Sequence, residues 1–314
     1  MTARSELETL VAAQFGREVS AGARALAAAA RQRCPGALAV VFYGSCLRTA
    51  GADADDAVLD LYVLVDAYET TYDRPLLTWL NRLLPPNVFF LEAQCDEVTV
   101  RAKYAVVTLS SFVSFMTNAT RESYFWGRFA QPSAVVYSAS PEVLRELARG
   151  LATAVETFVL NALPLVARTF SAQELWVAGL CESYNTELRA EGPDRSQALF
   201  ASFADYYEQA TRLALTAMPF PIVGDGAGWK AEMPAHERAR GLRRWRQRRV
   251  CSKLLSLLRV LRNAYTVEGG PEYVIWKIER HSEFRFDKNW RTKPVPLLAL
   301  ALEVFRAWRA GAFR

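Results

Sequence analysis

Two apolar runs of strand length constrain this chain more than any other feature: "ALAVVFYG" at residues 37–44 and "VLDLYVLV" at 58–65. Neither run alternates with polar residues, which is the pattern of strands covered on both faces of a sheet. The first ends in Gly44-Ser45, and the second carries a single acid, Asp60, in its middle. A strand alternates faces, so Val58, Asp60 and Tyr62 share one side.

The surrounding segments fill in a small mixed-sheet domain. Residues 5–33 are Ala-rich with few breakers and predict one or two helices, ended by Pro35-Gly36. The spacing of "LLTWLNRLL" (76–84) predicts a helix that stops at Pro85-Pro86. "VFFLEAQ" (88–94) and "VTVRAKYAVVTL" (98–109) read as two further strands joined by a short turn. After about residue 138 the character changes, and 140–168, 171–190, 196–217 and 250–265 are helical in period. The Pro/Gly-rich stretch 217–237 reads as a surface loop. The expected class is therefore α+β: a mixed-sheet domain over 1–138, a mainly helical second domain over 139–237, and a basic amphipathic region over 238–314.

Composition excludes several alternatives. Half of the chain is hydrophobic (51%), enough to fold around a core rather than stay disordered. No apolar run reaches the ~20 residues that span a bilayer, and "MTARSELETL" reads as a helix onset rather than a signal peptide. The five cysteines are odd in number and lack Cys-x-x-Cys spacing, so free thiols are expected rather than a disulfide framework or a zinc site. With two histidines, a His-rich metal centre is excluded.

A Gly-Ser at a strand tip beside a carboxylate on the next strand suits metal-assisted nucleotidyl transfer. Gly44 permits close backbone approach, and Ser45 with the following amides can cradle phosphates. Two divalent cations about 3.5–4 Å apart can stabilise the charge that develops as pyrophosphate leaves, and Mg²⁺ prefers carboxylate ligands. Most such enzymes show Asp-x-Asp, but Val58 and Tyr62 occupy the positions of a second acid here. Glu92 is the best-placed substitute, ahead of Asp55 and Asp56 on the preceding loop. A lone Asp in a strand is as readily a solvent-facing residue, so these positions alone do not decide the chemistry.

Further segments follow in a recognisable order: "AKYAVVTLSSFVSFM" (102–116), "SYFWGRFAQPSAVVY" (123–137), "SYNTELRAE" (183–191) and "YVIWKIERHS" (273–282). With "FYGSCLR" and "LDLYVLV", they resemble the mitochondrial-type phosphatidate cytidylyltransferases, the translocator assembly and maintenance proteins, which have a polymerase-β-type nucleotidyltransferase fold. That family also has an isolated Asp in place of Asp-x-Asp. The resemblance runs from about residue 38 to 282. It implies that CTP and phosphatidic acid are converted to CDP-diacylglycerol and pyrophosphate with Mg²⁺. By position, Gly44 and Ser45 would hold CTP phosphates, Asp60 a Mg²⁺, Lys103 a phosphate, and Arg128 the CTP or the phosphatidate. Tyr184, Glu187 and Arg189 would complete the cleft, with His281 a minor phosphate contact. The chain departs from the pattern where Cys46 and Thr186 replace glycines and Glu187 stands for Asp. Two other readings remain: a nucleotidyltransferase with a different phosphorylated acceptor, and a degenerate nucleotide-binding scaffold.

Residues 238–249 hold seven arginines, and Leu254, Leu255, Leu257, Leu258 and Leu261 follow as an apolar stripe. A basic segment leading into an amphipathic helix fits an anionic membrane surface, which predicts a cytoplasmic protein bound peripherally to the membrane's inner face. A solvated Arg-rich loop before a core helix has the same spacing. No aromatic-interleaved nucleic-acid signature is present, so nucleic acid is not an expected partner, and homodimerisation stays open.

Overall fold

Both apolar runs are strands at the centre of one sheet: β1 (Ala37–Tyr43) and β2 (Val58–Val65). This computed structural model describes residues 2–44, 47, 58–95, 98–187, 193–224, 228–266 and 306. β3 (Asn87–Cys95), β4 (Val98–Thr108) and β5 (Ala134–Ser138) complete the sheet in the order β3-β4-β2-β1-β5. β2 and β4 run parallel, and the other neighbours are antiparallel. The sheet is therefore mixed, in a chain that combines helices and strands.

The face alternation of β2 explains its unbroken hydrophobicity. Leu59, Leu61, Val63 and Val65 join one buried cluster, under α2 (Ala21–Gln32), while Tyr62 and Leu64 join the other. α2 presents Ala23, Leu26, Ala27 and Ala30 at helical spacing, and its N-terminus is capped by the Ser20 side chain, which accepts from the Ala23 amide. Each fully buried Leu or Val contributes about 1.5–3 kcal/mol relative to exposure, so the two faces of β2 account for much of the domain's cohesion. The single N-terminal helical stretch resolves into two helices, α1 (Ala3–Ala12) and α2.

The opposite face is covered in part by α1 and by the helices that follow β4. α3 (Pro75–Leu83) precedes β3, α4 (Leu109–Ser114) follows β4, and α5 (Tyr124–Phe129) precedes β5. α6 (Pro141–Ala162) begins with Pro141 after the Ser140 cap and buries Leu147, Leu151, Val155 and Phe158 along one stripe. α7 (Ala172–Asn185), α8 (Pro193–Ser202) and α9 (Ala204–Leu215) pack beyond it. One buried cluster runs continuously from Val41 and Tyr62 on the sheet through Phe158 and Trp176 to Trp245.

Two features differ from the sequence expectation. The 217–237 stretch is not only loop: β7 (Ile222–Gly224) and β8 (Trp229–Ala231) form a hairpin that pairs with β6 (Thr169–Phe170) in a second, three-stranded sheet. Its strands are two or three residues long, too short to show alternation. The basic segment is itself helical, the first half of one 32-residue helix, α10 (Ala235–Thr266), that continues through the helix expected over 250–265. Several of its arginines turn inward. Arg248 is buried, donates to Asn161 Oδ1 (2.5 Å) and Asn118 Oδ1 (2.9 Å), and lies over the Trp126 and Trp245 rings. Arg238 donates to the carbonyls of Pro164 and Val166, while Arg249, still about half exposed, pairs with Glu182. Arg240, Arg243, Arg244 and Arg246 remain exposed, with Val250, Leu254 and Leu258.

No helix among the described residues is long and apolar enough to cross a membrane. Cys34, Cys95, Cys181 and Cys251 are free thiols.

Candidate functional site

The register of the central strands sets Tyr43, Asp60 and Lys103 side by side. Tyr43 of β1 is opposite Asp60 of β2, and Asp60 is level with Lys103 of β4. Neighbours in register share a face, so all three project toward the helical layer. One step inward on that face, Val41, Tyr62 and Ala105 are buried. The row at Asp60 is therefore where the sheet emerges from its cover, and the strand ends there open a cleft of about 290 Å³.

Gly44 follows β1 directly. Its φ of +92° is a left-handed conformation that L side chains rarely adopt. A Cβ at this position would stand 3.4 Å from Asp60 Oδ2. The residue thus serves both the turn and the space beside the carboxylate.

The far wall is helical. α5 supplies Tyr124 and Arg128 at i, i+4 spacing, Gln131 and Pro132 follow it, and Tyr184 and Glu187 come from the end of α7. α5 lies close on α7 because residue 127 is glycine: a Cβ there would fall 2.2 Å from Ser183 Oγ. That approach lets Arg128 Nη2 donate to Glu187 Oε2 at 2.6 Å. Thr186, which replaces a glycine of the resembled family, is committed to structure: its hydroxyl hydrogen-bonds Ser123 Oγ at 2.9 Å and donates to the Ser183 carbonyl at 2.7 Å.

Aromatic rings make the floor. Tyr62 packs edge-on to Tyr43 (5.3 Å) and Phe129 (5.0 Å), and its hydroxyl meets that of Tyr124 at 3.2 Å. Burial, then the Asp60 carboxylate, pushes the Tyr43 phenol well above its ordinary pKa; burial, then Tyr124, does the same to Tyr62. Both phenols stay protonated and serve as neutral donors rather than bases. Burial works against the charge of Arg128, but the Glu187 carboxylate beside it holds its pKa well above the usual value. Arg128 is a fixed cation.

Gly44, Asp60, Lys103, Arg128, Tyr184 and Glu187 all line this one cleft. Glu92 does not join them. It sits on the edge strand β3, exposed, level with Arg101, whose Nε donates to Glu92 Oε1 at 2.9 Å. Because β4 lies between β3 and β2, the Glu92 backbone is about two strand spacings, ~9–10 Å, from β2, and its carboxylate is turned to Arg101. That is too far to share a metal with Asp60. Ser45, Cys46, Asp55, Asp56, Arg189 and His281 lie outside the described residues. The cleft also contains Tyr43, Tyr124, Gln131 and Arg195, which the sequence did not single out. Tyr124 was detectable through its i, i+4 spacing to Arg128; Arg195, on α8, carried no local signal.

Among the described residues no group of three or more His, Cys, Asp or Glu side chains gathers into a metal site. The donor set nevertheless suits a hard cation that takes one or two carboxylates and fills its remaining positions with water and substrate phosphate. Asp60 supplies such a carboxylate, and the side-chain-free surface of Gly44 leaves room beside it. No protein-family model matches the chain, and no curated protein sequence matches it.

Proposed function

We propose that the cleft transfers a cytidylyl group from CTP to the phosphate of phosphatidic acid, giving CDP-diacylglycerol and pyrophosphate. The observation that carries this reading is the row Tyr43–Asp60–Lys103 at the open end of the sheet, beside Gly44 and facing Arg128. Three cations, Lys103, Arg128 and Arg195, around the carboxylates of Asp60 and Glu187 match a reaction that brings two phosphate-bearing anions together. An oxygen of the lipid phosphate forms the new bond to the α-phosphorus of CTP, and the bond from that phosphorus to the bridging oxygen of pyrophosphate breaks.

The lipid phosphate is already anionic near neutral pH, so no general base has to deprotonate it. That agrees with a cleft whose described lining residues include no histidine, and with Tyr43 and Tyr62 phenols that remain protonated. Lys103 and Arg128 neutralise charge on the phosphates, Arg128 being held in place by Glu187. Asp60 would hold a Mg²⁺ together with phosphate oxygens and waters. When bound, that ion supplies positive charge at the reacting phosphate.

The exposed part of α10 supports a lipid substrate. Arg243, Val250 and Leu254 fall on one helical face, beside Arg246 and Leu258. Cations followed by apolar side chains on one surface suit an anionic bilayer, at about 1 kcal/mol per cation near the lipid. Pyrophosphate release, measured with CTP, Mg²⁺ and a panel of phospholipid vesicles, tests the proposal. Release only with phosphatidic acid supports it. Equal release with no lipid or with any lipid, or stabilisation by ATP equal to that by CTP, would remove it.

A further inference from the structure

Tyr124 is touched by two guanidinium groups from distant parts of the chain. The guanidinium carbon of Arg128 lies 4.0 Å from the ring centroid, and that of Arg259, on α10, lies 4.7 Å from it. Arg128 lines the cleft and Arg259 does not. Arg259 is nonetheless firmly held. Its Nη1 and Nη2 donate to the two oxygens of Glu122 at 2.8 and 2.5 Å, its Nε donates to the Pro85 carbonyl at 2.9 Å, and the residue is only 8% exposed. A bidentate fork fixes the plane of a guanidinium as well as its position. Tyr124 is tied at its other end by the contact of its hydroxyl with Tyr62, and its carbonyl accepts from Arg128 Nη1 at 3.1 Å.

A continuous chain of contacts thus runs from α10 to the cleft: Glu122 and Arg259, the Tyr124 ring, Arg128, Glu187. We propose that Arg259 is a positioning residue for the cleft, setting the Tyr124 ring and through it the guanidinium of Arg128, so that the seating of α10 and the binding of a phosphate-bearing anion are linked. The proposal rests on the reading of the cleft as an anion site. Without Arg259 the ring loses the partner that fixes its tilt, and Arg128 loses a fixed surface to stack on. Linkage is reciprocal: an anion that draws on a positioned Arg128 must in turn hold α10 in its seat. α10 is also the helix whose exposed arginines face solvent, so anything that docks on it acts on the cleft by the same route.

The test uses the full chain and inorganic pyrophosphate with Mg²⁺ as the probe. Binding is measured by calorimetry for the wild type, for Arg259→Gln, for Arg259→Lys, and for the double variant Glu122→Leu with Arg259→Met. The double variant removes both buried charges together and leaves no orphaned ion, so it keeps the test readable should Arg259→Gln fail to fold. In parallel, trypsin cleavage at the exposed arginines of α10 is followed with and without saturating pyrophosphate. We expect affinity to fall about tenfold in Arg259→Gln and in the double variant, and less in Arg259→Lys, which keeps the charge but not the fork. Pyrophosphate should slow cleavage of α10 in the wild type several-fold, and this protection should vanish in Arg259→Gln and in the double variant. A purely structural Arg259 would lower the melting temperature without removing ligand-dependent protection. Wild-type affinity in folded variants, or no protection of wild-type α10 by bound pyrophosphate, overturns the linkage while leaving the anion site standing. A wild type that binds no pyrophosphate overturns both.

Discussion

Arg128 and Glu187 form an ion pair at 2.6 Å in the wall of the cleft that Asp60 lines, with side chains only 19% and 22% exposed. A cation held by an acid at that depth is restrained and partly neutralised. Two substitutions separate these effects. Arg128→Gln should weaken pyrophosphate binding about 10- to 100-fold, the range for a lost charge-assisted hydrogen bond. Glu187→Gln should tighten it several-fold at low salt, because the guanidinium no longer shares its charge. Titration calorimetry reads both. Weaker binding by Glu187→Gln would mean that Glu187 holds the ligand itself.

Asp60→Asn should abolish Mg²⁺-dependent pyrophosphate release, by about 10³-fold or more, while leaving the melting temperature nearly unchanged. The amide keeps the shape and loses the charge. Glu92→Gln, by contrast, should stay within about twofold of the wild type, because Glu92 is an exposed partner of Arg101 and such pairs contribute little. Steady-state turnover of both variants checks this. A large loss in Glu92→Gln would require a strand arrangement other than the one found here.

Gly44→Ala should lower both stability and turnover. A positive φ of this kind costs a non-glycine residue about 1–2 kcal/mol, and the new Cβ would narrow the space beside Asp60 Oδ2. Thermal melts and pyrophosphate release measured on the same preparation test it. An unchanged turnover would separate Gly44 from the chemistry and leave it as a turn residue.

The arginines of α10 should divide into two classes. Replacing Arg240, Arg243, Arg244 and Arg246 by Gln should weaken binding to phosphatidic-acid vesicles and remove most of its salt dependence, with little change in melting temperature. Arg248→Gln should instead destabilise the fold by about 1–3 kcal/mol, since it takes the guanidinium donor from Asn161 Oδ1 and leaves Asn118 Oδ1 with only the Asn161 amide. Vesicle sedimentation across a salt series, together with thermal melts, distinguishes the two. Vesicle binding that survives the fourfold replacement would remove the docking role of this face.

What the sequence determined by itself was local. Unbroken apolar runs at 37–44 and 58–65 specified β1 and β2, because only a strand covered on both sides can bury every residue of such a run. Period two put Asp60 on the same face as Tyr62, and Gly44 marked the strand end where the backbone turns left-handed. Tertiary structure decided which of these groups meet. Whether Glu92 stands beside Asp60 depends on strand order, and with β4 between them the two are separated although both lie in well-formed strands. Arg195 reached the cleft through helix packing from far along the chain. Seven of the nine arginines of α10 crowd into 238–249 and point all round the helix, so their pattern does not say which face is buried. The anchored set is chosen by partners on other elements: Asn118 and Asn161 for the buried Arg248, Glu122 for the buried Arg259, and Glu182 for the half-exposed Arg249. Local periodicity fixes the direction a side chain takes from its own element; the charge it finds there is supplied by residues tens to more than a hundred positions away.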